Sequence, residues 1–186
     1  MNIIAALDLE TTGLNPASCE VLEIALVPLN LDFTISTTIP EFSCRIRAEH
    51  PERIEPQALG VNGLDPNEGD SLAEVQYALM EWAAENAIEK ITPLGHNLAF
   101  DMSFMKAAFP EFSKIFSHHG RDSMRLAYIL NDVLRVHGSE EMFTSGSLKS
   151  VKAVLDIEGN VRHHALEDAR DAAHAYRKMI AMLEMA

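Results

Sequence analysis

Cysteine is all but missing from this chain. Cys19 and Cys44 are the two it has, too few for a disulfide framework in a protein of this size. No Cys-x-x-Cys occurs, and the pair His118-His119 has no partners at zinc-like spacing, so a structural zinc is not expected. Basic residues are also scarce: 15 lysines and arginines face 28 aspartates and glutamates, a formal charge of −13. A protein that coats long nucleic acid by neutralising phosphates needs the opposite balance. An enzyme that grips a strand end through bound cations does not. Long apolar runs are missing as well, none approaching the ~18 residues of a membrane span. The chain enters an apolar segment at Ile3 without a basic leader or a small-residue cleavage site. A cytoplasmic location with no membrane contact is the expectation. Internal repeats, low-complexity tracts and linkers are absent too, and residues 1–186 read as a single domain.

What is present starts with Ile3-Ile4-Ala5-Ala6-Leu7-Asp8-Leu9-Glu10-Thr11-Thr12-Gly13-Leu14. Strand side chains alternate faces, so Asp8 and Glu10 project from one face, roughly 7 Å apart. Two carboxylates that close at the end of a buried strand repel each other and lose hydration, which is costly without a compensating cation. Alone, the pair reads more readily as an acidic strand end in water.

Val21 to Leu29 is a second apolar strand. Asn30-Leu31-Asp32 turns it into Phe33–Ile39, and Phe42, Cys44 and Ile46 alternate with polar residues in a third, which together predict an antiparallel meander. Pro51 to Gly69 is loop-like, with a short helix near Gln57–Leu59. Ser71 caps an amphipathic helix to about Glu89. Ile91 to Gly95 is a strand, followed by a helix from Leu98 that Pro110 stops. A last strand near His119–Asp122 and helices near Ser123–Val136, Leu148–Leu155 and His164–Glu184 complete an α/β pattern with parallel crossovers.

Asn97 stands at a helix-cap position, and Asp101 falls one turn later among Phe100, Phe104 and Met105. It is either a partly desolvated acid or a helix-start acid favoured by the dipole. On the final helix Ala165, Leu166, Ala169, Ala172, Ala173 and Tyr176 form the buried stripe, and Asp168 lies within it. Glu167 and Asp171 are placed for solvent. His163 lies close enough to Asp168 to border the same pocket.

Asp8 to Gly13 (Asp-x-Glu-Thr-Thr-Gly), His96 to Asp101 (His-Asn-x-x-Phe-Asp), and His163 with Ala165 and Asp168 occur in that order. Together these segments resemble the DEDDh branch of the DnaQ-like 3′–5′ exonucleases, over residues 3 to about 177. The resemblance implies a ribonuclease H-like fold with a central mixed sheet and helices on both faces. It further implies two Mg²⁺ or Mn²⁺ ions, held by Asp8, Glu10, Asp101 and Asp168, with Asp8 bridging them. Oxygen ligands suit these hard cations. His163 is the implied general base, with His164 one residue out of register. The implied reaction releases nucleoside 5′-monophosphates from the 3′ ends of single-stranded nucleic acid.

DNA is placed ahead of RNA as substrate, with trimming of RNA ends as the alternative. A polymerase or repair complex is the kind of partner such an enzyme would serve. A non-catalytic subunit is disfavoured because all five motif residues are present. By the same resemblance Thr11, Thr12 and Gly13 hold the terminal 3′-hydroxyl, with Gly13 supplying backbone freedom, and Leu14 packs on the terminal bases. Val61 and Asn62 belong to a nucleotide-side loop, in which Asn62 stands where histidine is common. Asn97 and Phe100 either support the site or merely cap and pack. Lys149, Lys152 and Arg162 either contact phosphates or form a solvated basic patch.

Overall fold

The structure is a computed structural model and describes residues 1–159 and 163–183. Among them a five-stranded sheet has the order β3-β2-β1-β4-β5. The central strand β1 (Asn2–Thr11) runs antiparallel to β2 (Val21–Leu29) and parallel to β4 (Lys90–Gly95). β3 (Phe42–Arg45) lies antiparallel to β2, and the two-residue β5 (Arg121–Asp122) lies parallel to β4. β2 is buried along its whole length, as expected of a strand covered on both faces.

The covering layers follow from side-chain size. On one face Ile3, Ala5, Leu7 and Leu9 of β1 pack with Val75, Leu79 and Trp82 of α2 (Leu72–Glu85) and with Phe104 and Met105 of α3 (Leu98–Ala108); the 7-residue helix α1 (Pro56–Asn62) precedes them in the chain. On the other face Ala6, Ala25, Val27 and Leu94 meet Ala165, Ala169, Ala172 and Ala173 of α6 (Ala165–Leu183). Small residues on both sides let α6 lie close to the sheet. A third apolar cluster joins α6 to α4 (Ser123–Val136) and α5 (Leu148–Val154).

Three expectations change. Phe33–Ile39 is not a strand: Asp32 accepts bonds from the Thr34 amide and hydroxyl, Phe33 takes φ 63°, and one isolated bridge joins Leu29 to Ile35. Local side-chain bonding outcompetes the ladder there, and β3 takes the neighbouring place beside β2. The helix capped by Ser71 has the full capping box with Glu74, but ends at Glu85 rather than Glu89. Ala87 turns left-handed (φ 50°) and buries Ile88 on the way into β4. The expected helix end at Glu184 and the candidate phosphate contact Arg162 lie outside the described residues.

The third change concerns charge. Lys152, a candidate phosphate contact, is buried on α5 and paired with Asp171 of α6, which was expected to face solvent. The pair pins α5 to α6. Removing one partner of a buried pair strands the other charge, typically at about 3–5 kcal/mol. Asp171→Ala is therefore expected to lower unfolding free energy in urea by about 3 kcal/mol. Asp171→Leu combined with Lys152→Met should recover most of that loss. A single variant as stable as the parent would show that the pair does not hold the helices together.

Candidate active site

The carboxylates converge at the C-terminal end of β1. Asp8 and Glu10 share the sheet face that α6 covers, and Asp168 enters the same space from the alanine stripe, buried at 5% exposure. Asp101 arrives from the first turn of α3, equally buried, and its Oδ1 accepts the Leu9 amide at 3.1 Å. A ring nitrogen of His163 and carboxylate oxygens of Glu10 and Asp168 lie within 4.8 Å of one another. His163 sits at φ 52°, immediately ahead of α6. The structure thus brings all five motif residues to one place.

The electrostatics are those of a site short of positive charge. Burial, and then Asp101, Glu10, Asp168 and Glu23, push the Asp8 carboxyl well above its usual range. Burial also raises Asp101, against the pull of the backbone amides it accepts. Glu10 is pushed up to about 8 by burial, Asp168 and Glu23, with a bond from Asn62 working the other way. A cluster of oxygen donors that resists ionisation without a cation fits hard divalent ions such as Mg²⁺ or Mn²⁺.

Two acids of this site escape the motif reading. Glu23 lies opposite Glu10 in the β1–β2 register, is buried, and accepts the Ala165 amide at 3.0 Å, which fastens the start of α6 to the sheet. Its Oε2 also stands 3.6 Å from His164 Nδ1. Its signal was available: it is a lone acid inside Val21-Leu22-Glu23-Ile24-Ala25. Asp122 is the second. It accepts the amides of Asn97 and Leu98 at 3.2 and 3.1 Å, and those of Met124 and Arg125 at 3.0 and 3.3 Å. One carboxylate therefore caps α3 and α4 together. Asn97 itself is left-handed (φ 63°) and makes no side-chain cap, contrary to its sequence reading.

The candidate substrate residues divide into braces and exposed surface. Thr12 is fully buried; its hydroxyl donates to the Arg53 carbonyl at 3.0 Å and accepts the Glu20 amide at 2.8 Å. Thr11 donates to the Gly13 carbonyl. Gly13 is needed for room rather than for backbone freedom, since a Cβ there would sit 2.4 Å from Glu55 Cδ and 2.6 Å from Cys19 Sγ. Asn62 is buried, donates to the Thr11 carbonyl at 3.2 Å and bonds Glu10. Leu14 and Val61 are exposed, at 77% and 60%. Phe100 is half-buried, with its ring 5.0 Å from that of Phe104. Lys149 is exposed at the start of α5. His96 is structural: Nε2 bonds the Gly146 carbonyl and Nδ1 the Ser123 hydroxyl, and burial lowers its pKa.

A family model described as Exonuclease (RNase_T) matches residues 5–176. The chain belongs to the RNase_T exonuclease family. Ribonuclease T from Enterobacter sp. (strain 638) is 26% identical over 185 residues, covering 94% of this chain and 79% of its own. Ribonuclease T from Escherichia coli (strain K12) is 30% identical over 112 residues, or 55% of this chain and 52% of that one. In structure the RNase_T fold superimposes on E. coli Exonuclease I in complex with a dT13 oligonucleotide, with TM-score 0.75 and 16% identity, over 100% of this chain and 43% of that one. Exonuclease I from Methylocaldum szegediense gives 0.74 and 18%, over 97% and 41%. The chain thus spans about two fifths of these Exonuclease I chains. The five-stranded mixed sheet with helices on both faces is the ribonuclease H-like fold. As a member of that family the enzyme is an exonuclease, acting on nucleic-acid ends.

Glu10 generates a pH test for the metal-free protein. A carboxyl raised from its ordinary 4.5 to about 8 makes the folded state hold a proton that the unfolded state releases. Its contribution to stability is complete below pH 4.5 and lost as pH rises through about 8. With EDTA, Tm is expected to fall across that window. Glu10→Gln should flatten the fall and leave the metal-free variant the more stable at the alkaline end, and saturating Mn²⁺ should raise Tm most there. A parent and variant with parallel Tm profiles would contradict the electrostatic account.

Proposed function

We propose that this RNase_T family member shortens single-stranded nucleic acid from the 3′ end, releasing nucleoside 5′-monophosphates, through one exonuclease domain comprising residues 1–186. The observation that carries the reading is the convergence of Asp8, Glu10, Asp101, Asp168 and His163 at the end of β1. Asp8, Glu10, Asp101 and Asp168 would hold two divalent ions, Mg²⁺ or Mn²⁺. When bound, such ions stabilise the charge that develops on the attacking and leaving oxygens of a phosphodiester. Their four positive charges would match the four carboxylates.

His163 is the base in this reading. A neutral imidazole accepts a proton near pH 7, and a ring nitrogen already stands within 4.8 Å of the Glu10 and Asp168 carboxylates, where an attacking water would give up its proton. His164 faces Glu23 instead. Leu14 and Val61, exposed near the Thr11–Asn62 brace, offer an apolar surface to the terminal base. Thr12 is left out of the contact set because its hydroxyl is spent inside the turn.

RNA ends are placed first as substrate, since relatives that align over 94% of this chain are named Ribonuclease T. DNA ends are the second reading, favoured by the likeness to Exonuclease I structures that hold dT13.

The test uses 5′-labelled and 3′-labelled single strands of RNA and DNA with Mg²⁺, Mn²⁺ or EDTA, with products resolved by length. Stepwise loss from the 3′ end that EDTA abolishes is expected. Asp8→Ala, Glu10→Ala, Asp101→Ala and Asp168→Ala should each slow turnover about 10²-fold or more. His163→Ala should cost ~10²–10⁴-fold while keeping the thermal shift given by Mn²⁺, and His164→Ala should cost far less. Metal-independent shortening would sink the metal reading, and an inactive His164→Ala beside an active His163→Ala would move the base.

A further inference from the structure

A cleft of about 540 Å³ runs between α3 and α4, along the outer side of β5. Its volume falls in the ~300–1,000 Å³ range of ligand clefts. β5 is two residues long and pairs with β4 on one side, so the sheet stops there and the helices beyond it leave a gap. The walls carry Lys106, His118, Arg121 and Arg125, and the floor is apolar, with Phe116 and the exposed Ile129.

The charge of this cleft runs against the rest of the chain. The protein has 13 more acidic than basic residues, yet Asp122 is the one carboxylate among the described residues of the wall, and it is spent on four backbone amides. Lys106 and Arg121 have no carboxylate at ion-pair distance among the described residues. Arg121 instead lies over the Phe33 ring, 5.5 Å from its centre. Arg125 is exposed and reaches Asp122 at 3.7 Å. Cations left unneutralised in an acidic protein are suited to an anion from outside. Cations bordering an apolar floor are the pattern of single-strand binding grooves, where phosphates meet the rim and bases the floor.

The cleft is joined to the active site through one helix. α3 turns Asp101 and Met105 toward the sheet, and Leu98, Ala99, Met102 and Lys106 toward the cleft. Asp122 holds the first amides of that helix. A strand whose 3′ end lies among the carboxylates has to leave along one flank, and the α3–α4 flank carries Lys106, Arg121 and Arg125 against one carboxylate.

We propose that the α3–α4 cleft binds the phosphate backbone of the single strand on the 5′ side of the scissile bond. The proposal rests on the exonuclease reading, and the test separates the two. Lys106→Glu/Arg125→Glu is compared with the parent and with Lys90→Glu, an exposed charge reversal at the opposite end of β4. Two substrates are used with Mn²⁺: the 5′-p-nitrophenyl ester of thymidine monophosphate, which has no upstream strand, and 12-nucleotide DNA and RNA. The ratio of kcat/KM on the 12-mers to that on the ester is expected to fall at least ten-fold in the double variant and to hold in Lys90→Glu. Each lost phosphate contact should make the salt dependence of 12-mer binding shallower by about 0.7 in log–log slope. Binding of labelled 12-mers in EDTA, followed by anisotropy, should weaken in parallel. Lys106→Gln/Arg125→Gln should show a smaller loss of the same sign if charge reversal impairs folding.

An unchanged ratio, an equal loss in Lys90→Glu, or equal competition by poly-glutamate would overturn the cleft. A parent enzyme that hydrolyses neither the ester nor any strand would overturn the exonuclease reading instead. In that case the EDTA binding comparison still decides for or against the cleft.

Discussion

Repulsion among buried carboxylates is the constraint on which the rest of this structure depends. Asp8 feels Asp101, Glu10, Asp168 and Glu23 at once, in a place where burial already disfavours charge. No local sequence preference would assemble such a group; the sheet and its two covering layers force it. The apolar clusters supply the compensating stability. Ile3, Leu7 and Leu9 anchor β1 against α2 and α3, while the other face of the same strand carries Ala6 and then the two acids. The alanines of α6 complete the device. Larger residues at Ala165, Ala169 or Ala172 would hold the helix off the sheet and carry Asp168 away from Asp8.

The fold treats its acids in two ways. Glu23 and Asp122 are answered by backbone amides at the starts of α6, α3 and α4, where the helix dipole also favours negative charge. These two acids position the site. Asp101 shares one oxygen with the Leu9 amide. Asp8 has no amide donor among the described residues, and Glu10 has the Asn62 side chain. The charge that backbone amides do not answer is therefore concentrated at the end of β1, where a divalent cation would have the most to gain.

The site was legible in the sequence to the extent that it depends on local order. Alternation along a strand places Asp8 and Glu10 together, and helical spacing puts Asp168 in an alanine stripe. Glu23 is not legible in the sequence because a single acid in an apolar strand looks like one exposed position, whereas its register partner is Glu10 and its donor is 142 residues away. The Lys152–Asp171 pair is hidden from the sequence for a related reason, since burial there depends on how closely α5 approaches α6. Asn97 had the right residue type for a cap, but Asp122 on another strand end takes the role. Phe33–Ile39 had strand-like composition, yet an Asp32-centred turn forms at shorter range than any ladder. Apart from that local turn, what could not be read was a property of two segments meeting.

The overall charge then gains a specific meaning. An acidic protein repels a polyanion at long range, and a cluster of carboxylates repels it most at the place where it must react. Cations bound at Asp8, Glu10, Asp101 and Asp168 would reverse that local sign, so strand binding and metal binding favour each other without any change of shape. The favourable coupling is reciprocal by linkage: a phosphate held among the ions raises their affinity as much as they raise its own. A strand end satisfies both requirements in a way that the middle of a duplex does not. Its terminal phosphodiester can enter a narrow, neutralised site, while the remaining chain is kept away from the acidic surface or carried along a flank where Lys106 and Arg121 stand without acidic partners among the described residues.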